Sequence, residues 1–328
     1  MTDASGAPPI HARGLVKEYG DVTAVAGVDL TVEAGDVYGY LGPNGAGKTT
    51  VLRMLLGLIR PTAGTARLFG RDPLLEGARA LQGVAGFVEA PRFYPYMSGR
   101  RNLELLAALD GDGAAGRIDE ALDIVEMTAR QGHKVGGYSH GMRQRLGVAA
   151  ALLRDPRLLL LDEPATGLDP AGMRDMRALV ARLSSEGTTV LLSSHLMPEV
   201  EELCNRVAIV RTGRIVYEGD VESLRARAGG HWRLRTTDDV RAQQVLREQR
   251  GVSAVAGVPG TASAPSSLRF EADEAAIAAL SIALVDAGAP PVELSPVRAT
   301  LEDVFFTLTE DEPAVDGGLP ATADPVPA

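Results

Sequence analysis

The sequence predicts an α/β fold: a largely parallel sheet with a helical lobe inserted into it, followed by a small α+β unit. Three observations carry the prediction. Between residues 10 and 220, apolar β-prone runs alternate with helix-patterned stretches, the order that builds parallel sheets. Two of those runs, residues 158–161 and 188–194, carry no charge, as strands in the middle of a sheet covered on both faces do. They are followed by Asp162 and His195, which puts polar chemistry at the edge where open α/β sheets bind ligands.

Taken in order, residues 1–9 are small, polar and expected to fray. Residues 37–41 form a β-prone run, and residues 50–59 are helix-compatible until Arg60-Pro61 stops them. Between about 92 and 156 the pattern turns helical. Ser98 can cap a helix carrying Leu103, Leu106 and Leu109, Gly111-Asp112-Gly113 breaks it, and residues 118–127 resume it. A third helix opens at Ser139 and runs to Asp155-Pro156. Residues 221–309 hold two rounds of strand-like then helix-like segments, at 232–235 and 240–249, then 268–270 and 274–285, which suits an α+β unit. From Glu310 the chain has five acidic residues, no basic one and several prolines, the composition of a disordered tail.

Bulk composition narrows the function. A chain of 328 residues suits two domains. The apolar run at 275–285 contains Ser281 and is shorter than the ~20 residues a membrane span needs. No basic stretch followed by an apolar one opens the chain, so no secretory leader is expected. The single Cys204 permits no internal disulfide and fits a reducing compartment, with cytoplasm the default. A net charge of −10 argues against a nucleic-acid partner.

The densest chemistry lies at Gly42-Pro43-Asn44-Gly45-Ala46-Gly47-Lys48-Thr49, followed by Thr50. Glycines at 42, 45 and 47 let the backbone wrap an anion, and the following helix presents its positive end. Lys48 can then reach the terminal phosphates of a nucleoside triphosphate, and the Thr49 hydroxyl can ligate Mg²⁺. Only three of the 33 basic residues are lysines, so a lysine at 48 in so arginine-biased a chain points to a need for a compact ammonium. Asp162 and Glu163 follow an all-leucine strand. Ionised carboxylates there need compensation, and Mg²⁺ held by Asp162 supplies it while Glu163 polarises water as a general base. His195 is placed to reach the γ-phosphate. Ser139 is a helix N-cap, and the same helix end with Gly141 can receive an anion. Tyr19, in Lys17-Glu18-Tyr19-Gly20, offers a ring for adenine stacking.

With these residues in this order the chain resembles the nucleotide-binding subunits of ABC transporters over residues 10–220. The resemblance implies an ATP-hydrolysing P-loop NTPase fold, RecA-like, with an added antiparallel β part. It implies that residues 42–50 are the Walker A loop, Glu89 the Q-loop position, residues 138–142 the signature, residues 158–162 Walker B, Glu163 the catalytic base, Asp169 the end of the D-loop and His195 the switch histidine. Phe87-Val88-Glu89-Ala90-Pro91, Tyr94 and Leu301-Glu302-Asp303-Val304-Phe305 look most like ATPases of drug and antibiotic exporters, including the bacitracin-resistance type. The family further implies a head-to-tail dimer with two ATP molecules between the subunits; one chain with one motif set must pair to work, with a second copy as the expected mate and a related chain as the alternative. It implies a separate transmembrane permease that holds the protein at the inner face of the membrane. A soluble ATPase of the same type acting on ribosomes or nucleic acid is the rival. Such proteins resemble two fused units or carry basic or coiled-coil insertions, which this sequence lacks.

Two positions depart from the family. The signature reads Tyr138-Ser139-His140-Gly141-Met142, where Leu-Ser-Gly-Gly-Gln is usual, and position 89 is Glu instead of Gln. A carboxylate ~6 Å from phosphate charge costs about 3 kcal/mol at an effective dielectric of about 20, whereas metal ligation would reverse that sign. Glu89 is therefore expected to ligate Mg²⁺ in the closed state, beside Thr49 and Asp162.

Overall fold

The computed structural model describes residues 6–111, 113–227, 231–258 and 267–296. The acidic tail and residues 301–305 lie outside the described residues, as do residues 1–5.

β1 (Ile10–Tyr19) and β2 (Val22–Val32) form an antiparallel hairpin, and after β3 (Val37–Leu41) and α1 (Lys48–Leu55) the chain adds β4 (Ala63–Leu68) to the other side of β1. The short helix α2 (Pro73–Glu76) leads to β5 (Val84–Phe87). The helical lobe holds α3 (Gly99–Asp110), α4 (Ile118–Ile124) and α5 (His140–Leu152). The chain then returns through β6 (Leu158–Asp162), α6 (Pro170–Ser185), β7 (Thr189–Ser194), α7 (Met197–Leu203), β8 (Arg206–Arg211), β9 (Arg214–Asp220) and α8 (Val221–Arg227). The main sheet runs β5-β6-β7-β3-β8-β9, parallel except for the antiparallel β8–β9 pair.

The all-leucine strand shows why this sheet is covered on both faces. Leu158 and Leu160 face a core shared with the antiparallel sheet and α1, and Leu159 and Leu161 face a second core with α5 and α6. All four are fully buried, and each leucine so placed contributes roughly 1.5–3 kcal/mol of transfer free energy. The predicted caps are present: Ser98 Oγ accepts from the Arg101 amide and Ser139 Oγ from the Met142 amide.

The helix expected over residues 50–59 begins at Lys48 and ends at Leu55, short of Arg60-Pro61. Gly57, at φ 68, takes the left-handed conformation, its amide reaches Met54 O, and the Leu58 amide reaches Arg53 O. Those two bonds close the helix as a Schellman motif before proline is needed.

Beyond α8 lie β10 (His231–Thr236), α9 (Asp239–Glu248), β11 (Val252–Val258), β12 (Ser267–Ala272), α10 (Glu274–Asp286) and β13 (Pro291–Pro296). Their sheet order β11-β12-β10-β13, antiparallel throughout, is a split βαβ arrangement of ferredoxin type. Leu234, Leu246, Phe270, Leu280 and Leu284 fill its core, and Trp232 donates its indole N–H to Ala272 O. Strands β11 and β13 were not foreseen: β11 is rich in Ala and Gly, and β13 is bracketed by prolines.

Candidate functional site

Three parallel strands finish side by side. Leu41 pairs with Ser194 and Asp162 with Ser193, so the loop after β3, the acids at the end of β6 and His195 after β7 converge. Gly42 N–H donates to Ser194 O at 3.1 Å, tying the loop to the histidine strand. The loop needs its glycines for space as well as conformation. A Cβ on Gly42 would sit 2.5 Å from Val210 O, and one on Gly47, at φ 94, would sit 2.3 Å from Ala24 O. Gly45 has open space around it and is required for its φ of 83.

Gly47 leads straight into α1, whose first residue is Lys48. The Lys48 side chain is 6% exposed, and its ammonium donates to Gly42 O at 2.7 Å and Pro43 O at 3.1 Å, while Glu163 Oε1 lies 3.1 Å away. One residue on, Thr49 Oγ1 donates to Asp162 Oδ2 at 2.9 Å. Ser193 Oγ donates to the other carboxylate oxygen at 2.5 Å.

Glu163 sits in the left-handed region at φ 51. Its amide is held by Ser193 Oγ at 3.0 Å and Ser193 O at 3.2 Å, which turns the carboxylate into the cavity. Oε2 accepts from Thr166 Oγ1 at 2.7 Å and from His195 Nδ1 at 2.7 Å. Because an ionised carboxylate can only accept, Nδ1 carries the proton. Burial pushes the Glu163 carboxyl up, but the bonds from Thr166 and His195 and the Lys48 ammonium outweigh it and leave it below the ordinary value. Lys48, Thr49, Thr50, Asn44, Gly45, Gly47, Glu163 and His195 line one cavity of about 340 Å³, together with Ala24 and Thr166. Asp162 is buried beneath it, at 4% exposure, and Ala46 packs into the core behind the loop.

Ser139, Gly141 and Asp169 do not join that cavity. They line a second one of about 530 Å³ with Arg130, Arg145 and Asp175. Asp169 caps α6, its carboxylate accepting from Gly172 N at 2.9 Å. Tyr19 is 48% exposed and lines neither cavity; Lys17 Nζ sits 5.0 Å from its ring centroid.

Glu89 requires a correction. Its backbone amide reaches Asp162 Oδ2 at 3.3 Å, but its exposed carboxylate pairs with Arg53 on α1. At φ 68 the residue offers its N–H to the site while its side chain pairs with Arg53, so in the chain on its own the carboxylate does not stand beside Thr49 and Asp162. Glu89→Gln is therefore expected to leave the Mg²⁺ concentration for half-maximal ATPase unchanged, and to change stability by less than about 1 kcal/mol, as loss of an exposed ion pair does. A raised Mg²⁺ requirement in that titration would restore the carboxylate as a metal ligand.

Sequence reasoning missed a buried clamp around His195. Ser194 Oγ donates to Glu199 Oε2 at 2.6 Å and accepts from Leu196 N at 3.0 Å, so the backbone on both sides of the histidine is fixed. Glu199 is 3% exposed, and burial pushes its carboxyl up. The available signal was an acid four residues after a histidine that closes a strand.

Residues 25–166 match the sequence profile of the ABC transporter family. The daunorubicin/doxorubicin resistance ATP-binding protein DrrA of Streptomyces peucetius is 35% identical to the chain over 325 residues, 96% of this chain and 96% of that protein. The chain belongs to the ATP-binding subunits of ABC transporters. This ABC ATPase is also 41% identical over 241 residues to the bacitracin transport ATP-binding protein BcrA of Bacillus licheniformis, covering 73% of this chain and 78% of that one. A solved ATP-binding subunit of an ABC transporter superimposes with a TM-score of 0.60 at 25% identity, over 67% of this chain and 92% of that chain. The fold is thus the P-loop NTPase cassette, and the protein binds and hydrolyses ATP.

Proposed function

We propose that this ATPase powers export of a drug-like, antibiotic-like or lipid-like cargo through a separate transmembrane permease, working as a head-to-tail homodimer on the inner face of the membrane. One observation carries the dimer: Ser139, Gly141 and Asp169 open on a different cavity from Lys48, Thr49, Glu163 and His195. A single chain therefore offers half of a nucleotide sandwich at each place, and a two-fold pairing completes both. For the permease, no helix among the described residues is long and apolar enough to cross a membrane, and similar proteins are named for bacitracin transport and daunorubicin resistance. The ATPase unit in this reading, expected over residues 10–220, extends through α8, whose Val221 and Leu224 pack into the core that holds Leu159 and Leu161, and the chain after α8 to residue 309 is an accessory unit.

Within the site, Lys48 and the amides of residues 42–50 take the phosphates, with Tyr19 offered to the adenine. The donor set at the metal position is one hydroxyl and one carboxylate, Thr49 and Asp162, which fits Mg²⁺ because that ion keeps waters and substrate phosphates as its other ligands. Bound there, it would neutralise phosphate charge. Glu163 takes the proton of the attacking water, and His195 holds Glu163 in place through Nδ1. Phosphate competes with Glu163 for the Lys48 ammonium, so nucleotide entry loosens the pair that holds the carboxyl down and makes it a better base.

The test is purification of the tagged chain from solubilised membranes, with the proteins that accompany it identified. A multi-span polypeptide that raises its ATPase rate is expected. Recovery with ribosomes, or without any membrane protein, would overturn the reading.

A further inference from the structure

One signature departure, His140, reaches from its own cavity to the acid in the other. His140 opens α5 where the family carries glycine. Its Nε2 lies 2.9 Å from the Thr166 carbonyl oxygen. A carbonyl only accepts, so Nε2 is the protonated nitrogen and donates. Thr166 in turn gives its hydroxyl to Glu163 Oε2 at 2.7 Å, on the same oxygen that His195 holds. The ring is seated closely: a Cβ on Gly167, at φ 75, would come within 3.4 Å of His140 Cδ2. Two hydrogen bonds to one residue, His140 on the Thr166 carbonyl and the Thr166 hydroxyl on Glu163, thus connect the first residue of α5 to the acid. No glycine could make the first of them.

We propose that His140 is a positioning residue for ATP hydrolysis. By holding the Thr166 carbonyl it keeps the Thr166 hydroxyl on Glu163, and it ties the Ser139 end of α5 to the base of the same subunit. The link rests on the head-to-tail dimer proposed above. There, the Ser139 end of α5 meets the partner's nucleotide, so engagement of one ATP bears on the geometry of the acid serving the other. His140 does not bind phosphate, because its protonated nitrogen is already committed to Thr166.

The test uses the full chain. His140→Ala is expected to lower kcat by ~3- to 10-fold, the worth of one net hydrogen bond, with KM for ATP unchanged and the Hill coefficient reduced. His140→Gln, whose amide nitrogen can donate from a similar reach, should recover most of the rate. Thr166→Val should lower kcat at least as far, and the double variant should fall no further than Thr166→Val alone. In a Glu163→Gln background, His140→Ala should leave the ATP concentration for half-maximal dimerisation unchanged. An unaltered kcat, additive losses in the double variant, or a weakened ATP-dependent dimer in that background would each overturn the proposal, the last by making His140 a phosphate contact. Absence of any ATP-dependent dimer with Glu163→Gln alone is a different failure and would sink the dimer reading itself.

Discussion

Glu163→Gln is expected to stop turnover while leaving ATP bound, trapping an ATP-stabilised dimer visible by size exclusion. The carboxylate takes three side-chain contacts, from Lys48, Thr166 and His195, and is the acid placed to accept a proton in the cavity at the loop. Removing a general base lowers kcat by ~100- to 10,000-fold, which a phosphate-release assay resolves. Glutamine keeps the shape and can still accept from Thr166 and His195, so the cavity should hold. It also removes the carboxylate that competes with phosphate for the Lys48 ammonium, and ATP affinity should therefore be maintained or raised. Turnover within about tenfold of wild type would remove Glu163 from the role.

Lys48→Ala is expected to abolish the thermal protection given by ATP. A ligand at 100 times its Kd stabilises a fold by about 2.7 kcal/mol, and that increment should vanish in a thermal shift assay. The ammonium also bridges two loop carbonyls, so the variant's own Tm will fall. The quantity to compare is the difference with and without nucleotide for each protein. Full retention of the ATP-induced rise would exclude residues 42–50 as the phosphate cradle.

Most of the site was legible because its spacing is dictated by chemistry. A loop that wraps an anion needs glycine where backbone meets backbone, as at Gly42 and Gly47, and a buried acid after an apolar strand needs compensation, as at Asp162. What stayed hidden depended on partners distant in sequence. Sequence position alone made Glu89 a metal donor, but the carboxylate follows Arg53, 36 residues away. The end of α1 was misplaced because a glycine that can cap through two backbone bonds acts before a downstream proline does. The division of the motif residues between two cavities was implied by the head-to-tail dimer of the family, and the path of α5 brings it about. The Glu199 clamp is invisible until β7 and α7 are folded against each other. In the C-terminal unit, the two helix-leading strands had apolar cores that could be read, whereas β11 and β13 are edge strands whose sequences carry little side-chain pattern.

The indole of Trp232, the only one in the chain, is fastened to Ala272 O within the C-terminal sheet. Selective excitation of that ring accordingly gives an optical readout of how residues 231–296 melt, blind to the nucleotide-binding lobes. Set against circular dichroism of the whole chain, its emission would tell whether the two units come apart in one cooperative event or in succession.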